Sequence, residues 1–350
     1  MLPIFATTLR AANRRLARPT ALAGAAVALG VLLTSGAQAA PAPFPTVTTP
    51  VRLDGHDLAT PLTPNWYEAL NTIVYDGGRY HLWYVKGAYS ALPYGISYAT
   101  STDGVNFTTQ GPLTLPANWW TAYGATTEPV PNYLRVSRDG SGNWILMVWH
   151  PNRAGQGQFN YNTSLWRLDS GIADLTPTLI GPLPSQPGGN HVGALGIVGS
   201  NLYLAQDTAQ AFGRYALPIT TPGMVDAANA YAGTGLCSWA DPGCAAADRS
   251  YVHNYGRTLD QGGSVLGTYY ALYNYNTWSR RAKQLWYMES TDGGASWGNA
   301  QPLFTDGNAV TVDGLPNAGN FALPEVAALG GGQYRSYFTT IDACGNYVTV

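Results

Sequence analysis

The sequence predicts an all-β chain folded as a five-bladed β-propeller behind a cleaved signal peptide. Three observations predict it: a leader with the order of an export signal over residues 1–40, glycine and proline spread too densely for long helices, and a strand-and-turn pattern returning about every sixty residues.

In the leader, Arg10, Arg14, Arg15 and Arg18 precede an apolar run at 21–33, and Ala37-Gln38-Ala39 follows it. Basic, then apolar, then small is the order of a secretory signal, and this run falls short of the ~20 residues that a membrane span requires. Cleavage is expected near Ala39 or Ala40. That leaves residues 41–350 as one exported domain, extracellular or periplasmic, with no stable membrane span.

Without those four arginines, 14 of the 18 basic side chains face 20 acidic ones, a formal charge of −6. A mildly acidic chain with no Lys/Arg cluster lacks the electrostatic footprint of a nucleic-acid binder, and nucleic acid is not an expected partner. In an oxidising compartment Cys237 and Cys244 are suited to a local disulfide, with Cys344 left over. No CxxC pair or His-spaced partner supports zinc, so no metal is expected on the cysteines.

The 41 glycines and 24 prolines suit many short strands joined by turns. The first unit starts at Glu68 with a strand ending at Tyr75. It continues through the turn Asp76-Gly77-Gly78, an aromatic strand at 79–85, a third strand at 95–100 and a closing turn at Ser101-Thr102-Asp103-Gly104. The pattern restarts at Glu128, with its aromatic strand at 144–149, and at His191, before a strand at 202–205. It returns at Tyr251, with strands at 268–273 and 284–288, and near Phe321, with Gly330-Gly331-Gly332 before a strand at 334–338.

These starts are 60, 63, 60 and 70 residues apart, slightly above the ~40–50 of the commonest propeller blades. One small sheet cannot bury both faces, whereas sheets arranged radially cover each other and leave only short edges. The last unit is short, so residues 46–53 are expected to supply its missing outer strand. A β-sandwich followed by a second domain is the rival architecture, and it gives no reason for a sustained period.

Ser290-x-Asp292-x-Gly294-x-x-Trp297 matches the Asp-box of sialidases and other propellers, and 101–107 is a version one residue shorter. The Asp caps a tight turn, the Gly permits a positive φ, and the aromatic plugs the blade. The longer string at 75–84 followed by 95–104 resembles the first blade of the five-bladed glycoside hydrolases, the superfamily that includes families 32, 43, 62 and 130. The resemblance recurs partially at 285–297. It implies fold more strongly than activity, because one propeller hosts many functions.

In those enzymes the carboxylates sit on innermost strands and point into a central funnel. Hydrolysis needs two of them, one to protonate the leaving oxygen and one to activate water or attack the sugar. The resemblance therefore implies Glu68, Glu128 in Thr127-Glu128-Pro129-Val130, and Glu325 in Leu323-Pro324-Glu325-Val326 as catalytic candidates. Two departures stand against it. The first blade has Leu70-Asn71-Thr72 where an Asp is usual, and the third inner strand opens His191-Val192-Gly193 with no acid nearer than Asp207.

His191 and His253 fall near inner strands, as core histidines or as contacts to sugar hydroxyls or to a channel ion such as calcium. No cofactor is otherwise expected. Arg257 is suited to pair with a funnel carboxylate, or, with Arg135 and Arg153, to form the Arg triad by which sialidases grip a substrate carboxylate. Trp66, Trp119, Trp120 and Trp278 lie between repeat strands, where exposed indoles stack on sugars. The adjacent Trp119-Trp120 pair is the one expected to be exposed. A glutamate at a strand start also serves simply as a solvated rim residue or an acceptor for loop hydrogen bonds.

The leading reading is a secreted, monomeric glycoside hydrolase acting on poly- or oligosaccharides. A non-catalytic carbohydrate-binding propeller is the second reading, supported by the two missing acids. A sialidase-like enzyme and a structural surface protein follow.

Overall fold

The computed structural model describes residues 72–86, 95–126, 128–129, 131, 133–150, 163–183, 192–206, 211–218, 225–229, 234–238, 242–244, 249–274, 283–304, 311–312, 315–316, 322–341 and 347–349. All of them belong to one compact unit, Pro43–Val350. The expected signal, the strand at 46–53, Trp66, Glu68, Arg153, His191, Trp278 and Cys344 lie outside the described residues.

The chain is all-β and builds its sheets in sequence order. The first holds β1 (Thr72–Asp76), β2 (Arg79–Lys86), β3 (Gly95–Ser101) and β4 (Thr108–Pro112), and the second holds β5 (Tyr133–Arg138), β6 (Trp144–Trp149), β7 (Thr163–Leu168) and β8 (Thr178–Pro182). The third holds β9 (Val192–Val198), β10 (Asn201–Gln206), β11 (Ala211–Ala216) and β12 (Val225–Asn229). In the fourth, the short β13 (Cys237–Ser238) pairs in parallel with β14 (Arg249–Gly262), which leads the meander β15 (Val265–Asn274), β16 (Lys283–Ser290) and β17 (Gly298–Phe304). A ribbon of β18 (Thr311–Val312) and β19 (Leu315–Pro316) precedes the last sheet, β20 (Ala322–Gly330), β21 (Gln333–Ile341) and β22 (Tyr347–Thr349).

Tight turns set the register. Gly77 and Gly78, both at positive φ, close β1 onto β2 so that Asp76 faces Arg79 and Thr72 faces Trp83, as a two-residue hairpin requires. In the second sheet Asp139 Oδ1 instead accepts the Ser141 and Asn143 backbone N–H groups at 2.9 and 2.8 Å.

The second strand of each sheet shows how the propeller arrangement is held. Strand side chains alternate between faces, and here both faces are covered. On β6, Leu146 and Val148 pack against the first sheet while Ile145 and Met147 pack against the third. On β10, Leu202 and Leu204 face the second sheet while Tyr203 and Ala205 face the fourth. On β2, Trp83 and Val85 face the second sheet, whereas Leu82 and Tyr84 meet Ala327 and Tyr337 of the last.

Burial on both sides explains why these strands read as continuous apolar runs rather than as an alternation. Leading strands line the centre: β1 touches β5, β5 touches β9, β9 touches β14, β14 touches β20, and β20 returns to β1. Gly256 makes room both for the neighbouring strand β15 of its own sheet and for β9 across the centre. A Cβ there would stand 2.3 Å from Tyr269 O and 2.8 Å from Leu195 Cδ2.

Cys237 and Cys244 are disulfide-bonded, with their Cα atoms 6.2 Å apart. Among the described residues no helix is long and apolar enough to cross a membrane.

Candidate functional site

The acid positions expected on inner strands have different fates. Glu128 lies ahead of β5 rather than on it. Pro129 and Pro131 supply no N–H to a ladder, so the strand begins only at Tyr133. Pro129 is buried while the Glu128 side chain meets solvent, and partial burial of its carboxyl raises its pKa above the usual value.

Glu325 is on β20 and has no exposed surface. Its Oε2 lies 3.4 Å from Arg135 Nη1 on β5, and its Oε1 lies 3.4 Å from Arg257 Nε on β14. The Val326 N–H also donates to Oε1 at 3.2 Å. Arg135 donates through Nε to Gly256 O and through Nη1 to Leu134 O, each at 2.7 Å. Burial pulls the Arg135 pKa down, Glu325 pushes it back up, and Arg257 lowers it again.

Thr72 completes the cluster. Its Oγ1 accepts from Arg257 Nη1 at 3.4 Å and from the Val136 N–H at 3.2 Å. β1, β5, β14 and β20 thus meet in one buried polar cluster on the axis. Arg257 does pair with a carboxylate, and Arg135 joins it, but the carboxylate is the protein's own. A general acid must reach the leaving oxygen of a substrate, and Glu325 is sealed from any.

Trp119 corrects the expected exposure of the tryptophan pair. It opens the short 3₁₀ turn Trp119–Tyr123, and its ring turns inward between the first and second sheets, 6 % exposed. There it meets Trp166 edge-on at 5.0 Å and His150 at 5.5 Å. Trp120 is half-buried against the same cluster. The adjacent indoles belong to the packing of this seam.

His150 itself was not legible as a buried polar residue. It follows the aromatic strand β6, where Ser164 Oγ lies 2.9 Å from its Nε2 and also accepts from Trp166 Nε1 at 2.8 Å. Thr72 was missed for the same reason: an isolated Ser, Thr or His carries no spacing signal until its partners from other sheets are known. His253 lies within β14. Among the described residues no three His, Cys, Asp or Glu side chains converge as a metal site would require.

No family model matches the sequence, and no curated protein is similar to it. Solved structures are similar. An exo-1,5-α-L-arabinanase from a bovine ruminal metagenomic library aligns with a TM-score of 0.52 at 11% identity, over 80% of this chain and 91% of that one. An endo-arabinase from Bacteroides thetaiotaomicron aligns with a TM-score of 0.52 at 14% identity, over the same shares. A structure from the GH130 family of mannoside phosphorylases, which contains glycoside hydrolases that target β-1,2 mannosidic linkages in Candida mannan, aligns with a TM-score of 0.52 at 12% identity, over 80% and 82%. At these identities the likeness is one of fold.

Proposed function

We propose that the protein is a secreted five-bladed propeller of glycoside-hydrolase type, with the three-stranded sheet as its fifth blade, acting on poly- or oligosaccharides at the strand-start end of its axis. Glu128 carries the reading. A general acid must offer a protonated carboxyl, which a raised pKa favours, and must still reach solvent. Glu128 has a pKa raised by burial, an exposed side chain, and a position just ahead of an inner strand.

In this scheme Glu128 protonates the leaving glycosidic oxygen. A second carboxylate, for which Glu68 is the candidate, attacks the sugar or takes a proton from the incoming water. The chemistry calls for two carboxyls and water and for no cofactor. Glu325 holds the inner strands together through Arg135 and Arg257 instead of reacting. The Ser-Asp-Gly turns serve as Asp-box turns of the first and fourth blades, and the local disulfide supports an oxidising, extracytoplasmic location.

The test is hydrolysis of arabinan, xylan, fructan and β-mannan oligosaccharides by the purified protein beside Glu128→Gln and Glu68→Gln. Turnover by the parent that falls at least a hundredfold in Glu128→Gln supports the assignment; unchanged turnover in that variant refutes it. A second reading, a carbohydrate-binding propeller without turnover, is favoured by the acid-free strand β9 and by the sealing of Glu325. Saturable binding of an oligosaccharide by all three proteins with no product formed would select it.

A further inference from the structure

His81 belongs to the aromatic strand of the 75–84 string, and its partners lie outside the axial cluster. It stands on β2 two residues before Trp83, so alternation turns its ring to the same face, toward the seam with the second sheet. The side chain is buried.

The two ring nitrogens have fixed roles. Nε2 lies 3.3 Å from Asp76 O, and a carbonyl only accepts, so Nε2 carries the ring proton. In the neutral ring Nδ1 is then an acceptor, and it takes the Tyr98 hydroxyl at 2.5 Å. Tyr98 is 2 % exposed, its ring stacks on Trp83 at 4.5 Å, and burial pushes its pKa up to about 12, so the phenol keeps its proton. A proton added at Nδ1 would set an N–H against that O–H. Tyr98 accepts it only by turning its own hydrogen away, and among the described residues its hydroxyl has no other hydrogen-bond partner.

The charges around the ring offer little help. Asp76 at the end of β1 favours the proton and Arg79 at the start of β2 opposes it, while Thr100 of β3, opposite His81, is neutral. From the second sheet, β5 turns Leu134, Val136 and, by alternation, Arg138 to this seam, and Arg138 donates to Gly142 O. β6 adds Leu146 and Val148, and β7 adds Trp166 and Leu168. Burial is the largest influence on His81 and lowers its pKa.

We infer that His81 is an acid-sensitive clasp: neutral, it ties β3 to the β1–β2 turn and lets the first sheet close on the second, and protonated in mild acid it loosens that seam. The clasp does not depend on the reaction at Glu128.

A histidine whose pKa is lowered by folding takes its proton more readily in the unfolded chain. Its contribution is therefore complete above the ordinary 6.5 and is lost as pH falls from 6.5 toward the folded value. Through that window the unfolding equilibrium constant should rise by up to about tenfold per pH unit.

The test compares the parent with His81→Gln, whose amide can still accept from Tyr98 and donate to Asp76 O but takes no proton. In urea unfolding from about pH 8 to about pH 5, the parent should lose stability faster than the variant, and parallel curves overturn the clasp. NMR titration of the histidine rings in the parent and in Tyr98→Phe decides independently of whether His81→Gln folds. His81 should titrate below 6.5 in the parent and closer to 6.5 in Tyr98→Phe, where nothing blocks Nδ1. A parent midpoint at or above 6.5, or one that Tyr98→Phe leaves in place, overturns the clasp.

Discussion

Removing the charge of Glu325 would leave the buried guanidiniums of Arg135 and Arg257 without the carboxylate that lies 3.4 Å from each. Breaking one partner out of a buried ion pair costs about 3–5 kcal/mol, because the remaining charge is then uncompensated. Glu325→Gln should lower the unfolding free energy by about that amount in urea, and a loss below about 1 kcal/mol would mean that the two pairs contribute little. Glu325→Asp keeps the charge and should recover part of the loss. At this scale the sequence placed Glu325 on an inner strand and offered Arg257 a carboxylate to pair with. It could not say that the two were the same pair, because Arg135, Arg257 and Glu325 come from three different sheets and no local spacing relates them.

Two turns with nearly the same sequence do the same work at the level of elements. Asp103 Oδ1 accepts the Val105 and Asn106 N–H groups at 2.8 Å each, and Ser101 Oγ accepts the Gly104 N–H at 2.9 Å. In the fourth sheet, Asp292 Oδ1 accepts the Ser296 N–H at 2.9 Å and Ser290 Oγ accepts the Gly294 N–H at 2.8 Å. Each turn then receives a tyrosine and an arginine from the sheet before it. Tyr337 donates to Gly104 O and Arg335 to Asp103 O, while Tyr203 and Arg214 both donate to Gly293 O. The turn chemistry was readable from Ser, Asp and Gly at short spacing. The docking was not, since nothing in either turn names the distant residues that reach it.

These turns predict a pH dependence. Hydrogen bonds, first from the Ser296 side chain, hold the Asp292 pKa at about 2, against an ordinary 3.8. A group depressed on folding stabilises the protein above its unfolded pKa, and that contribution is lost as pH falls through the folded value. Stability should therefore be insensitive to Asp292 from neutral pH to about 4 and should decline from there toward pH 2. The carboxylate is solvent-exposed, so its share is small. Asp292→Asn should lose about 1 kcal/mol at pH 7, as when a capping side chain is removed, and its midpoint should fall less steeply below pH 4 than that of the parent. Parallel acid titrations of the two proteins check this, and superimposable slopes would count against it.

For the molecule as a whole, the continuous apolar second strands decide how it unfolds. A sheet whose two faces are both buried against neighbours has no stable existence outside the ring. The sixty-residue period and the aromatic strands made that arrangement legible, because no other use of so many doubly apolar strands repeats so regularly. Closure was less legible: it rests on seam contacts such as Ala327 and Tyr337 against Tyr80 and Phe107, and on the axial cluster of Thr72, Arg135, Arg257 and Glu325. If the sheets unfolded one by one, loosening the seam between the last sheet and the first would split off a separate low-temperature step. If the ring is the cooperative unit, the same change moves the entire transition. The double variant Arg335→Ala, Tyr337→Phe removes the donors to the Asp103 turn, the second of them buried, at a cost of about 2–4 kcal/mol. Scanning calorimetry should show one transition in both proteins, with calorimetric and van't Hoff enthalpies in agreement, displaced downward as a whole in the variant. A new early peak, with the main transition unmoved, would mean that the sheets are independent and that the axial cluster does not couple them.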